Sequence, residues 1–135
     1  MPLHLSIVTP EKTTFSDTVE TVVIPGLLGE LGILPQHTPL LTGLKPGELR
    51  YTKDGKSHEL AVGEGLVEVM PDKVSVLTDL AVGSEEIDEA AVQKALDRAE
   101  AALKEISGDE EVAAVQAAIQ KSLAQLHLKR KRRTL

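Results

Sequence analysis

The side chains that could do chemistry in this chain are few and dispersed. Its four histidines, His4, His37, His58 and His127, stand far apart in sequence, and there is no cysteine. A transition-metal site needs imidazole and thiolate donors at short, repeated spacings, so no metal ligands are expected. Serine, histidine and aspartate are all present, but no Gly-x-Ser-x-Gly turn offers an exposed nucleophile, and no catalytic residue is expected. The glycines from Gly26 to Gly32 suggest a phosphate-cradling loop. Such a loop needs a Gly-Lys-Ser/Thr ending, or the Gly-x-Gly-x-x-Gly spacing that opens a helix, and the chain has neither. No resident cofactor is expected.

The strongest local charge feature is the basic run Lys129, Arg130, Lys131, Arg132 and Arg133. It contrasts with residues 85–126, which carry four basic and ten acidic side chains. Cations near a helix C-terminus complement the macrodipole, which would suffice as an explanation. A nucleic-acid or membrane-surface patch is the alternative. A formal net charge of −6 and only two aromatics, Phe15 and Tyr51, argue against general nucleic-acid binding and against a ring-lined pocket. The first residues lack a basic, apolar leader pattern, and no apolar run approaches the roughly 20 residues that span a bilayer. A soluble, cytosol-facing protein is expected.

Two kinds of element must position these groups, and the composition changes sharply between them. All seven prolines lie at or before Pro71 and nine of ten glycines at or before Gly83, whereas eleven alanines follow residue 85. The first segment alternates with the period of a half-buried strand: Leu3, Leu5 and Ile7; Val19, Thr21 and Val23; Leu49 and Tyr51. Asp54-Gly55 is the positive-φ pair of a tight hairpin. Leu60 and Val62, then Leu66, Val67 and Val69, then Val74, Val76 and Leu77 continue the series, and short strands at regular spacing predict an antiparallel sandwich or barrel.

The second segment steps by three and four residues. Val92, Leu96, Ala99, Leu103 and Ile106 define one helical stripe, and Val112, Val115, Ile119, Leu123 and Leu126 a second. Asp88 is the predicted N-cap, with Ile87 and Val92 as a hydrophobic staple. Ser107-Gly108-Asp109 is the predicted stop, with Gly108 in the left-handed position after the first helix. So short a link makes the helices antiparallel neighbours. The predicted fold class is α+β: residues 1–84 an antiparallel β-sandwich, residues 85–135 an antiparallel two-helix hairpin. Alanine favours helix but buries little apolar area, so the seam should hold only weakly.

One stretch is distinctive beyond its pattern. Gly29-Glu30-Leu31-Gly32-Ile33-Leu34-Pro35, with His37, Pro39, Leu40 and Leu41 and then the Pro46-Gly47 turn, resembles the signature of epsilon subunits of F-type ATP synthases. Val8-Thr9-Pro10 with Phe15, and Gly65-Leu66-Val67-Glu68-Val69 with Val74, add to the resemblance, which covers essentially the whole chain. It implies a non-catalytic central-stalk subunit of a rotary, proton-translocating enzyme. Its sandwich would dock on the gamma subunit and the c-ring, with Leu28, Gly29, Glu30, Leu31, Gly32 and His37 as c-ring contacts. The hairpin would reach the alpha and beta subunits when it extends and inhibit ATP hydrolysis there, with Lys129 to Arg133 as an electrostatic latch on acidic surface. The membrane association implied is peripheral, through the complex, on the cytoplasmic face of a bacterial inner membrane or the stromal face of a thylakoid.

Some members of that family bind ATP on the folded hairpin through an Ile-Asp-x-x-Arg-Ala motif. Here Ile87 and Asp88 match and Arg98 matches a later basic position, but Ala91 and Val92 replace the Arg-Ala pair, and Lys121 and Gln125 stand for the basic pair of the second helix. A missing guanidinium removes a bidentate phosphate contact, which weighs against tight ATP binding. Two readings outside the family are a sandwich module that binds nucleic acid through its basic tail, and a small hydrolase. Neither accounts for the Gly29-to-Leu41 stretch.

Overall fold

The computed structural model describes residues 2–83, 87–106 and 108–134, the side chains of 132–134 excepted. Ten strands come first: β1 (Leu3–Val8), β2 (Thr13–Val19), β3 (Thr21–Gly26), β4 (Gly29–Ile33), β5 (Leu40–Leu44), β6 (Gly47–Lys53), β7 (Lys56–Val62), β8 (Gly65–Met70), β9 (Lys73–Thr78) and β10 (Ala81–Gly83). Two helices follow, α1 (Glu89–Leu103) and α2 (Asp109–Thr134). The expected α+β fold, a β-sandwich and then a helical hairpin, is the one observed. The division expected after residue 84, and Ser107 of the expected helix stop, lie outside the described residues.

The strands run in the order β10-β7-β6-β3-β5-β8-β9-β1-β2, with β4 also paired to β3. All pairs are antiparallel except β1 with β9, which is parallel. The two halves join through a single residue pair, Gly26 with Leu44. On the opposite side β2 approaches β6: Lys53 pairs with Asp17, and the Phe15 and Tyr51 rings lie 4.6 Å apart. Alternation does the work expected of it. Leu3, Leu5 and Ile7 of β1 are fully buried while His4, Ser6 and Val8 are only partly so. Val22, Ile24, Ile33, Leu49, Val67, Val69, Val74 and Val76 complete the same core.

One strand expectation changes. Val19 to Val23 is not one strand, because the chain turns at Glu20 from β2, paired with β1, into β3, paired with β6. Glu20 marks the corner, its N–H donating to the Thr52 carbonyl at 2.7 Å and its carboxylate accepting from the Gly55 N–H at 2.9 Å. Alternation continues through such a corner and so does not reveal it. Asp54-Gly55 does form the β6–β7 turn, with φ of 53° and 76°.

Asp88 caps α1 as expected, accepting from the Ala91 N–H at 3.2 Å, and Val92 packs with Ile87. The helix, however, ends at Leu103 rather than Ile106. The Lys104 N–H bonds back to the Ala101 carbonyl, three residues behind, at 3.3 Å, the tightened turn that ends many helices. The Gly108 carbonyl accepts the Val112 N–H at 2.9 Å, so Gly108 opens α2. The hairpin does not hang free. α2 lies against β6 and β7 as well as against α1.

Candidate functional site

The distinctive stretch of the sequence begins as the second strand of a hairpin. β3 and β4 pair from Val22 with Ile33 to Gly26 with Gly29, leaving Leu27 and Leu28 as a two-residue turn. Pro25 and Gly26 are buried, so the turn is rooted in the sandwich. Leu28 is fully exposed and Leu27 largely so. Leu27 folds over Gly43, where its Cδ1 fills the place an added Cβ would take. Its N–H donates to the Gly43 carbonyl at 3.1 Å. Beside it, Leu66 of β8 sits opposite Leu77 of β9, both half-exposed. The sandwich thus carries an apolar patch at this end, continuous with a cleft of about 650 Å³ lined by Leu27, Lys45, Glu64, Leu66 and Asp79.

The six residues expected to make one contact do not form one surface. Leu28 and Gly29 are at the tip, and Glu30 beside it is exposed and pairs with Arg50 at 3.3 Å. Gly32 is exposed at mid-strand, but Leu31 packs against the core and presents little side chain to a partner. His37 lies beyond the far end of β4, which at about 3.3 Å per residue is roughly 13 Å from Gly29. There its Nδ1 donates to the Thr38 carbonyl at 2.7 Å, and the neighbouring Gln36 N–H bonds the Pro71 carbonyl of the β8–β9 turn at 2.6 Å. A β-strand separates what the one-dimensional motif places together.

The basic tail is also not a bare cluster. Arg130 reaches back to α1, with Nε 2.9 Å from Glu89 Oε1 and Nη2 3.2 Å from Gln93 Oε1. Lys131 crosses to the sandwich, with Nζ 3.1 Å from Glu48 Oε1 and 3.5 Å from Glu59 Oε2. Hydrogen bonding to Glu48 raises the Lys131 pKa above its usual 10.5, against the opposing effect of partial burial. Lys129 is half-buried. The side chains of Arg132 and Arg133, the rest of the expected latch, lie outside the described residues.

Asp88 and Arg98, the two residues matching the nucleotide motif, are not brought together. Asp88 is committed to its cap, and Arg98 is exposed, roughly 15 Å further along α1 at 1.5 Å per residue. Lys121 is paired with Asp79 at 2.8 Å. Among the described residues no three His, Asp or Glu side chains converge as metal ligands, and no helix is long and apolar enough to cross a membrane.

What reading the sequence missed is the docking of α2 on the sandwich. Leu128 is fully buried with Ala61 and Ile87 in a second, small core. One signal was available. Leu128 is apolar but two residues past Leu126, on the other side of the helix from the stripe, which marks a second packing face.

The β-sandwich domain of the ATP synthase delta/epsilon chain matches residues 2–84, and the long α-helix domain of the same chain matches residues 85–129. An ATP synthase epsilon chain of Laribacter hongkongensis is 44% identical over 126 residues, 92% of this chain and 90% of that one. That of Herpetosiphon aurantiacus is 40% identical over 133 residues, 98% of each. The fold also matches a chain in the Euglena gracilis mitochondrial ATP synthase structure of OSCP, F1 and c-ring, with a TM-score of 0.76 at 24% identity, over 93% of this chain and 79% of that one. A chain of the Tetrahymena thermophila central stalk and c-ring matches with a TM-score of 0.61 at 14% identity, over 98% and 96%. With both halves matched and close relatives along nearly its whole length, the chain belongs to the ATP synthase delta/epsilon chain family, on the epsilon-chain side of it.

Proposed function

We propose that the chain is a non-catalytic central-stalk subunit of a rotary, proton-translocating ATP synthase. The observation that carries this reading is that the likeness to ATP synthase epsilon chains runs through both halves. Residues 1–84 dock on the gamma subunit and the c-ring, helping to couple ring rotation to the catalytic head. The tip Leu28, Gly29 and Glu30 and the exposed Gly32 are the best-placed ring contacts, because Leu27, Leu66 and Leu77 supply an apolar patch beside them. His37, set apart from the tip by the length of β4, would contact the ring separately from it. Residues 85–135 are a regulatory hairpin that restrains ATP hydrolysis by extending toward the alpha and beta subunits. The subunit lies peripherally on the cytoplasmic side of a bacterial inner membrane, held there by the complex.

A weak hairpin suits this role, since partner contacts of only a few kcal/mol then move it between folded and extended forms. Tight ATP sensing does not fit the Asp88 and Arg98 geometry. Nucleic-acid binding by the tail draws no support, since Arg130 and Lys131 are paired with side chains of the same chain.

The test is ATP hydrolysis by an epsilon-depleted catalytic head with added full-length chain or a chain stopped at Ser84. The sandwich core contains only residues from Leu3 to Ala81, so the shorter chain keeps it whole. Binding by both with inhibition by the full-length chain alone is expected. Binding without inhibition by either would remove the regulatory half of the proposal, and binding by neither would remove the stalk assignment.

A further inference from the structure

Glu48 and Glu59 stand on the outer face of the β6–β7 pair. In the ladder Glu48 lies opposite Ala61, and Glu59 opposite Arg50, so both carboxylates share the side on which Ala61 meets Leu128 and Ile87. α2 covers them. Their side chains are only 14% and 12% exposed. Arg50 is turned to Glu30, and Glu59 Oε2 accepts no hydrogen bond among the described residues. Among the described residues, Lys131 is the cation that meets both carboxylates. Two carboxylates so covered are costly to leave without a positive partner.

The same end of α2 carries the apolar plug. Leu128 and Lys131 are three residues apart and so share a helix face. One buries its side chain in the second core and the other enters the carboxylate pair. Arg130, on the adjoining face, holds α1 through Glu89 and Gln93. Consecutive cations therefore fasten α2 in two directions, to its partner helix and to the sandwich.

We infer that Glu48 and Glu59 are an internal docking site for the basic end of α2. They occupy Lys131 while the hairpin is folded, and they compete with any acidic partner surface for it. The sandwich thus holds the tail in check by offering the charge that a partner would offer. The competition rests on the latch reading above; the docking itself does not.

The absence of cysteine allows the full chain to be spin-labelled at Ser57→Cys on β7 and His127→Cys on α2. Electron–electron distance measurement should give a single short distance. Glu48→Gln with Glu59→Gln should add a longer one and raise the undocked fraction about tenfold, the scale of one charge-assisted hydrogen bond. Lys131→Met should do the same, and all three substitutions together should restore the short distance, since neutral groups then face one another. An unchanged distance in the Gln pair and in Lys131→Met would overturn the inference, as would failure of the triple variant to re-dock. If the Gln pair loses helix by circular dichroism, the Lys131→Met comparison with the triple variant decides. Titration with an oligoglutamate peptide separates the latch. Tighter binding by the Gln pair, which keeps Lys131 and frees it, supports the competition, with no such gain expected for Lys131→Met. Undocking with no gain in peptide binding leaves the docking site standing and removes the acidic-surface latch.

Discussion

The sandwich and the hairpin bury their apolar side chains to different depths, and geometry explains the difference. In the sandwich, alternate residues of strands on both halves point into one enclosed space, so Leu3, Leu5, Ile7, Val22, Ile24 and Leu49 are fully buried. The hairpin is two helices wide. In α1 only Leu96 is buried, and in α2 Ser122, Leu126 and Leu128 are. Val92, Leu103, Val112, Val115 and Ile119 of the seam stay half-exposed, and Leu123 faces solvent. A two-helix layer has no third element to cover the back of its seam, and its many alanines bury little area wherever they point. The second core that fastens α2 to β7 is correspondingly small. One half is thus a scaffold, and the other is attached to it at a few named points.

Paired truncations test that contrast most severely. Leu5→Ala should cost about 3 kcal/mol and lower the melting midpoint of the sandwich. Leu96→Ala should cost about 2 kcal/mol but act on the hairpin alone, read as faster amide exchange in α1 with the sandwich midpoint unchanged. Equal loss of sandwich stability from both would mean that the halves unfold as one unit. A smaller effect is expected at the N-cap. Asp88→Ala removes the acceptor for the Ala91 N–H, and about 1 kcal/mol should be lost, confined to the first turn of α1.

The finest distinction is in pH. The Lys53 hydrogen bond, and after it the Thr18 N–H, hold Asp17 below its usual 3.8. That contribution is present above the usual value and disappears as pH falls through the lowered one. Asp17→Asn should therefore flatten the acid limb of sandwich unfolding below about pH 4 and leave neutral pH little changed, because the pair is exposed. For the hairpin the sign reverses. The raised pKa of Lys131 means that its contribution is full below the usual value of 10.5 and fades as pH climbs through the raised one. Lys53 of the sandwich is raised in the same way by its hydrogen bond to Asp17, so alkaline pH removes an ion pair from each half. Undocking of α2 ahead of sandwich unfolding would show that the attachment of the hairpin depends on its pair more than the sandwich depends on its own.

Much of this was legible in the residues. The buried alternation of β1, the Asp54-Gly55 turn, the Asp88 cap and the change from strand to helix composition each follow from local chemistry. β2, β4 and β5 were not. Thr13–Val19, Gly29–Ile33 and Leu40–Leu44 carry serine, threonine, glycine or exposed leucine where a strand pattern needs alternation, and neighbouring strands rather than their own sequence hold them. Within the candidate contact surface, Leu28, Gly29 and Glu30 lie together at the exposed tip of the β3–β4 hairpin. Leu31 and His37 do not join them, because the segment is a strand and a strand carries its residues apart.

The sequence by itself determined the two-part architecture and the family, since periodicity, turn residues and the Gly29-to-Leu41 motif are local properties of the chain. Only the tertiary structure decided where the basic tail goes. Lys131 meets Glu48 and Glu59 across separations of more than seventy residues, and no local pattern records which carboxylates a helix end will cover. That choice belongs to the packing of Leu128 on Ala61 and Ile87. The packing sets the height and rotation of α2 on the sheet, and with them the cation that the buried carboxylates receive.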